Sequence, residues 1–232
     1  HHRSSAASDV YKRQTLWRDN EPDIQQLGVR NHEGAPWICF GFEPLCPLSD
    51  VPLVGHHNVN NVLAALAICH AMGLPYAQLV AGINTLKGLP HRCELVGVRD
   101  GVQFVNDSKG TNVGATVAAL QGLADGQNII LVAGGEGKGQ AFAPLAKAAS
   151  QHAKHTVLIG RDAVSIAEAL DATTPHTFAD DMESAVRTAT DIAASGDIVL
   201  LSPACASLDM FADYRARGDA FTAAVQRCEE VS

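Results

Sequence analysis

Three short segments concentrate residue types suited to holding anions: Asp107-Ser108-Lys109-Gly110-Thr111-Asn112, Gly134-Gly135-Glu136-Gly137-Lys138-Gly139 and Ser202-Pro203-Ala204-Cys205-Ala206-Ser207. Each follows an apolar run of strand character, at 102–106, 129–133 and 198–201 respectively. Two of them set a lysine beside glycine. The third ends in a serine ahead of an expected helix, where free N–H groups and the helix dipole favour a bound anion. The implied ligand carries carboxylates or phosphates. Each segment alone also has an ordinary reading: GGEGKG as a common turn, Ser207 as a helix N-cap, Asp107 with Lys109 as a surface pair.

The glycine segment does not fit the best-known nucleotide motifs. A P-loop needs Ser or Thr after its lysine to ligate magnesium, and Lys138 is followed by Gly139. The dinucleotide fingerprint G-x-G-x-x-G is not met either, because Gly135, Gly137 and Gly139 are spaced by two throughout. Asn58 and Asn61 lie one helical turn apart, so their amides can face one side, and an amide pairs with both donor and acceptor edges of adenine. The alternative makes Asn58 an N-cap and Asn61 a solvated first-turn residue. His56 and His57 suit solvated loop positions better than a metal site. Arg92, after Pro90 and His91, is placed to meet an anion with its planar fork, or to form an interdomain ion pair.

These residues need a scaffold, and the pattern along the chain supplies one. Residues 1–14 are polar and without period, and are set aside as a non-native or disordered lead. Residues 16–34 read as polar and turn-rich, with the first convincing strand at 37–42. Helical spacing follows at 58–72, ending in Gly73, and Pro75 opens a second helix through Leu86. Gly88-Leu89-Pro90 breaks the pattern, which divides the chain into 15–88 and 89–232.

Past that break, runs at 93–99 and 102–106 flank Asp100-Gly101, a dipeptide made for a two-residue hairpin turn. Helices are expected at 113–123, 144–151, 163–170, 182–193 and from Leu208 onward, alternating with strands at 129–133, 156–159, near Thr177 and at 198–201. Such alternation predicts an α/β fold with right-handed crossovers and a largely parallel sheet. In such a sheet ligands bind beyond the carboxyl ends of the strands, where the three segments fall together.

Composition narrows the function. Of 232 residues, 47% are hydrophobic and 18% charged, which fits a globular chain and excludes disorder and low complexity. A net charge of −8 and the lack of a Lys/Arg block oppose nucleic acid as a partner. No apolar run reaches membrane-spanning length and 1–14 lack a secretory apolar stretch, so an intracellular location without membrane contact is expected. The six cysteines show no C-x-x-C pair, which fits reduced, mostly buried thiols.

Taken together, Gly55-His56-His57-Asn58-Val59-Asn60-Asn61, Leu89-Pro90-His91-Arg92, Asn106 to Asn112, Gly134 to Lys138 and Leu201 to Asp209 resemble the ordered motifs of the Mur ligases. The resemblance covers Gly55 to Phe221. It implies a Rossmann-like C-terminal ligase domain over 89–232, preceded by an incomplete piece of the central ATPase domain at 15–88, with the P-loop and the magnesium ligands further upstream.

The implied reaction is ATP-dependent addition of D-glutamate to UDP-N-acetylmuramoyl-L-alanine through an acyl phosphate, in peptidoglycan precursor synthesis. A monomeric cytoplasmic enzyme, inactive as this chain alone, is expected. By the same resemblance, Asn58 and Asn61 contact adenine, His91 and Arg92 line the nucleotide, and Asp107 meets its ribose. Lys109 and Lys138 are the catalytic cations. Thr111 and Lys138 meet the α-carboxylate of D-glutamate, and Ser207, Leu208 and Tyr214 line its side-chain pocket. Two departures stand out: Tyr214 replaces a frequent phenylalanine and Gly110 a usual alanine. The alternatives are a sister ligase using another amino acid, and a non-catalytic ligand-binding fragment.

Overall fold

The computed structural model describes residues 16–17, 20–53 and 55–230; the lead read at 1–14 lies outside them. Two compact units divide at Lys87/Gly88.

The first unit holds a four-stranded sheet in sequential order: β1 (Leu16–Trp17), β2 (Gln26–His32), β3 (Ala35–Phe40) and β4 (Glu43–Pro47). The turn-rich reading of 16–34 is therefore corrected. β2 escapes notice because Arg30, Asn31 and His32 interrupt its apolar alternation, and its antiparallel pairing with β3 stabilises it instead. Two helices follow, α1 (His56–Ala71) and α2 (Tyr76–Ile83). α1 begins before Asn58 with Gly55 at its N-cap, so Asn58 is a first-turn residue and not a cap. Leu27, Ile38, Leu63 and Ile83 are nearly or fully buried in this unit's core.

The second unit is an α/β fold around a six-stranded sheet. Its strands are β5 (Glu94–Arg99), β6 (Val102–Asn106), β7 (Ile129–Gly134), β8 (Ala153–Ile159), β9 (His176–Phe178) and β10 (Ile198–Leu201), in the order β5-β6-β10-β7-β8-β9. Every pairing is parallel except β5 with β6, the hairpin expected at Asp100-Gly101. Both turn residues have positive φ, 49° and 79°, as a tight two-residue hairpin requires.

Central burial on both faces explains the unbroken apolar runs. All six residues of β7 and all four of β10 are buried. Their side chains alternate between two cores. Ile129, Leu131, Ala133, Ile198 and Leu200 pack on one face with α3 (Val113–Leu123), α4 (Ala143–His152) and α5 (Ala163–Ala169). Ile130, Val132, Val199 and Leu201 pack on the other with α6 (Met182–Ile192) and α7 (Tyr214–Glu230). Helix α7 starts six residues later than the expectation from Leu208, because 208–213 form turns and bends that Asp213 ends by capping Ala216 N at 2.8 Å.

Candidate functional site

The loops after β6, β7 and β10 leave three adjacent strands at their carboxyl ends, and the backbone ties them together. Asp107 N donates to Leu201 O at 2.7 Å, Ala204 N to Gly110 O at 2.9 Å and Gly134 N to Pro203 O at 2.9 Å. Glu136 and Ala206 form a two-way bridge, at 2.9 and 3.0 Å. The three anion-suited segments therefore form one connected rim.

Two side chains missed by sequence reasoning complete the stitching. Gln140 donates from Nε2 to Ala204 O at 2.6 Å and accepts from Val113 N at 3.1 Å, joining the glycine loop to the other two. Arg217 of α7 is 1% exposed and donates to Ser108 Oγ, Ser108 O and Cys205 O at 2.9–3.0 Å. Burial lowers its pKa to about 10, still far above neutrality, so it is a buried cation held by neutral oxygens. The only sequence signal for it is an arginine among apolar α7 positions such as Phe221 and Val225.

Asp107 faces inward. Its Oδ2 accepts from Ser202 Oγ at 2.7 Å and its Oδ1 from Cys93 N at 3.3 Å. Burial pushes its pKa up to about 6, against the lowering effect of those hydrogen bonds and of Arg92. Gly110 explains itself here: a β-carbon at this position would stand 2.6 Å from Asp107 Oδ2 and 2.7 Å from Ser202 Oγ. An alanine at this place would require that carboxylate to shift.

Lys109 is half-buried, with its ammonium 4.1 Å from the centre of the Tyr214 ring, and its N–H donates to His91 O at 3.0 Å. Thr111 is half-buried in the same loop, and Lys138 is exposed. Among the described residues neither lysine is ion-paired with a carboxylate. Glu136 is instead paired with Arg161 at 3.1 Å, and Asp162 accepts from Gly137 N at 2.6 Å. Among the described residues, the rim carboxylates Asp107 and Glu136 are hydrogen-bonded or ion-paired, whereas its two ammonium groups have no carboxylate partner.

Ser207 is buried and anchors a turn, its carbonyl accepting from Met210 N at 3.1 Å and Phe211 N at 2.8 Å. Contrary to expectation it is neither an N-cap nor at a helix start, because α7 begins at Tyr214. Leu208 is exposed in that turn. His91 lies in the second unit, its ring against Tyr214 and Asn106, and Arg92 beside it is exposed.

Backbone strain marks the same place. Among the described residues six non-glycine positions have φ in the left-handed region. Glu33 and Asp100 sit in hairpin turns; the other four, His91, Cys93, Lys138 and Ala204, all belong to the rim or the segment packed on it. Such conformations cost on the order of 1 kcal/mol each and persist where a site demands them.

In the first unit, Asn61 Nδ2 donates to Asn58 Oδ1 at 3.2 Å, so the two amides share one face of α1. Asn61 lines a cavity of about 320 Å³ walled by Leu53, Val62, Leu66, Leu79 and Ile83.

A family model described as Mur ligase, glutamate ligase domain, matches residues 91–205. UDP-N-acetylmuramoylalanine–D-glutamate ligase of Nitrosococcus oceani is 47% identical over 205 residues, covering 88% of this chain and 45% of the relative. The enzyme of the same name from Aromatoleum aromaticum is 51% identical over 207 residues, covering 88% and 44%. The chain belongs to the Mur ligase family. Its fold agrees with the structure of UDP-N-acetylmuramate-alanine ligase MurC from Thermotoga maritima, at TM-score 0.61 and 15% identity over 89% of this chain and 46% of that one. This Mur ligase chain spans about half the length of the curated relatives it matches. Among its described residues no helix is long and apolar enough to cross a membrane, and no three His, Cys, Asp or Glu side chains are grouped to hold a metal.

Proposed function

We propose that this chain is the C-terminal part of an ATP-dependent ligase that adds D-glutamate to UDP-N-acetylmuramoyl-L-alanine in the cytoplasm. The observation that carries this reading is the stitched rim, on which Lys109 and Lys138 have no carboxylate partner among the described residues. A dicarboxylic amino acid needs two separated points of positive or N–H character, and both relatives named above are D-glutamate ligases.

In this reading Thr111 and Lys138 receive the α-carboxylate, and Ser207, Leu208 and Tyr214 border the pocket for the side-chain carboxylate. The acceptor's carboxylate takes the γ-phosphoryl group of ATP, releasing ADP. The amine of D-glutamate then attacks the acyl carbon, and phosphate leaves as the amide forms and the ammonium proton is lost. The rim's share of the chemistry is orientation and charge. Lys109 and Lys138 offset the repulsion between an anionic amino acid and a phosphorylated acceptor, and rigid loops hold the amine in line. Asn58, Asn61, His91 and Arg92 are proposed to serve the nucleotide; the contact to its ribose expected of Asp107 is not proposed, because that buried carboxyl faces inward and accepts from Ser202 Oγ and Cys93 N. Among the described residues no three His, Cys, Asp or Glu side chains are grouped to hold a metal; the magnesium ligands and the P-loop are proposed to lie in the part of the relatives that this chain does not span.

The test is amino-acid-dependent phosphate release by the full-length enzyme supplied with ATP and the UDP-linked acceptor. D-glutamate is expected to support turnover at least about tenfold better than L-glutamate, lysine or diaminopimelate, since two carboxylates of fixed chirality must meet fixed cations. A preference for a basic amino acid would move the chain to a sister ligase.

A further inference from the structure

Tyr214 joins side chains that the proposed reaction assigns to different ligands. Its ring centre lies 4.1 Å from the Lys109 ammonium, 5.2 Å from the Arg215 guanidinium and 5.9 Å from the His91 ring, which meets it edge-on at 83°. The backbone closes the same triangle: Lys109 N donates to His91 O at 3.0 Å, and Ser108 Oγ donates to Tyr214 O at 2.6 Å. Arg215 has Asp213 nearby at 3.9 Å, whereas Lys109 has no ion-paired carboxylate among the described residues.

The physics of this arrangement is specific. A carboxylate beside Lys109 would orient it and neutralise it together. An aromatic face attracts the ammonium through the ring quadrupole, fixes the direction of a long flexible side chain, and leaves its full charge on offer. An aliphatic side chain of similar bulk would fill the space without aiming the lysine.

Building on the D-glutamate reading, we infer that the Tyr214 ring is a positioning residue: it holds Lys109 as an un-neutralised cation aimed at an anionic group of the bound amino acid. The ring carries this role, so phenylalanine serves in its place and the phenolic hydroxyl is dispensable. The His91 contact gives the same ring a mechanical link to the residue proposed at the nucleotide.

The experiment is a double-mutant cycle in the full-length enzyme, read as KM for D-glutamate and kcat separately. Tyr214→Leu is expected to raise KM for D-glutamate roughly three- to tenfold, the range of a part-buried cation–π contact, with kcat changed less than KM. Tyr214→Phe is expected to stay within about twofold of the parent. In a Lys109→Met background the Tyr214→Leu change is expected to add less than about twofold, because the two side chains act through one contact.

Equal losses for Tyr214→Leu in the parent and in the Lys109→Met background would overturn the inference and leave a packing role, as would a Tyr214→Phe enzyme as impaired as Tyr214→Leu. A parent enzyme that does not use D-glutamate would overturn the functional reading instead, before any variant is compared.

Discussion

Asp107 shows how one buried group ties stability to pH. Its carboxyl, with a pKa raised from 3.8 to about 6 chiefly by burial, stays protonated in the folded chain over a range where the unfolded chain has lost its proton. The folded state then binds more protons, so stability falls as pH rises through this window. The cost of holding the charge is fully present above about pH 6 and relieved below about pH 4. The drop between those limits is about 3 kcal/mol, and Asp107→Asn should remove most of it. Urea unfolding at about pH 4.5 and about pH 7 compares the two proteins; an unchanged pH slope in the variant would place the titration elsewhere. The role of Asp107 as an organiser of the rim is not legible in the sequence. Its spacing from Lys109 suggests a surface pair or a ligand contact, and nothing local announces that Ser202, 95 residues away, will meet it.

Among the strands and helices, legibility follows a physical rule. β6, β7 and β10, buried at the centre of the sheet, advertise themselves as apolar runs, and α3 is legible to the residue at 113–123 because Asn112 caps it, accepting from Ala115 N at 3.0 Å. β2 does not show itself, because a half-exposed strand with Arg30 and His32 has no clean alternation and owes its form to its neighbour. The start of α7 misleads for a related reason. The apolar residues Leu208, Met210 and Phe211 imitate helical spacing, but Ser207 O draws the chain into a turn and Asp213 sets the true cap.

Arg217 acts at this level too, since it fastens α7 to two loops. Its truncation to alanine leaves three buried oxygens without their donor and opens a void, against which the relief of a desolvated charge is the smaller effect. Arg217→Ala is therefore expected to destabilise by roughly 3 kcal/mol, read as a shift of the denaturant midpoint. Arg217→Lys keeps the charge but lacks the fork, and should recover less than about half of that loss. A midpoint within error of the parent for both variants would show that the loops are held by their backbone bonds alone.

The widest question is how distant segments of the molecule come to act together. Residues 107–112, 134–139 and 202–207 are far apart along the chain, and the strand order brings β6, β10 and β7 side by side so that their outgoing loops meet. That convergence can be anticipated from the alternation of strands and helices; the linking side chains Gln140 and Arg217 cannot, because their partners depend on the final packing. The family is legible from five ordered motifs, and the sheet, its parallel pairing and the sequence relatives agree with it. Central to the proposed site is Lys138, an exposed lysine held at φ 53° between two glycines with no carboxylate partner among the described residues. The decisive measurement is the apparent KM for D-glutamate of full-length Lys138→Ala, taken beside its KM for ATP. A rise of at least about tenfold for D-glutamate with ATP changed less than about twofold is the expected result, since one lost charge-assisted hydrogen bond is worth that much. An unchanged D-glutamate constant would contradict the account.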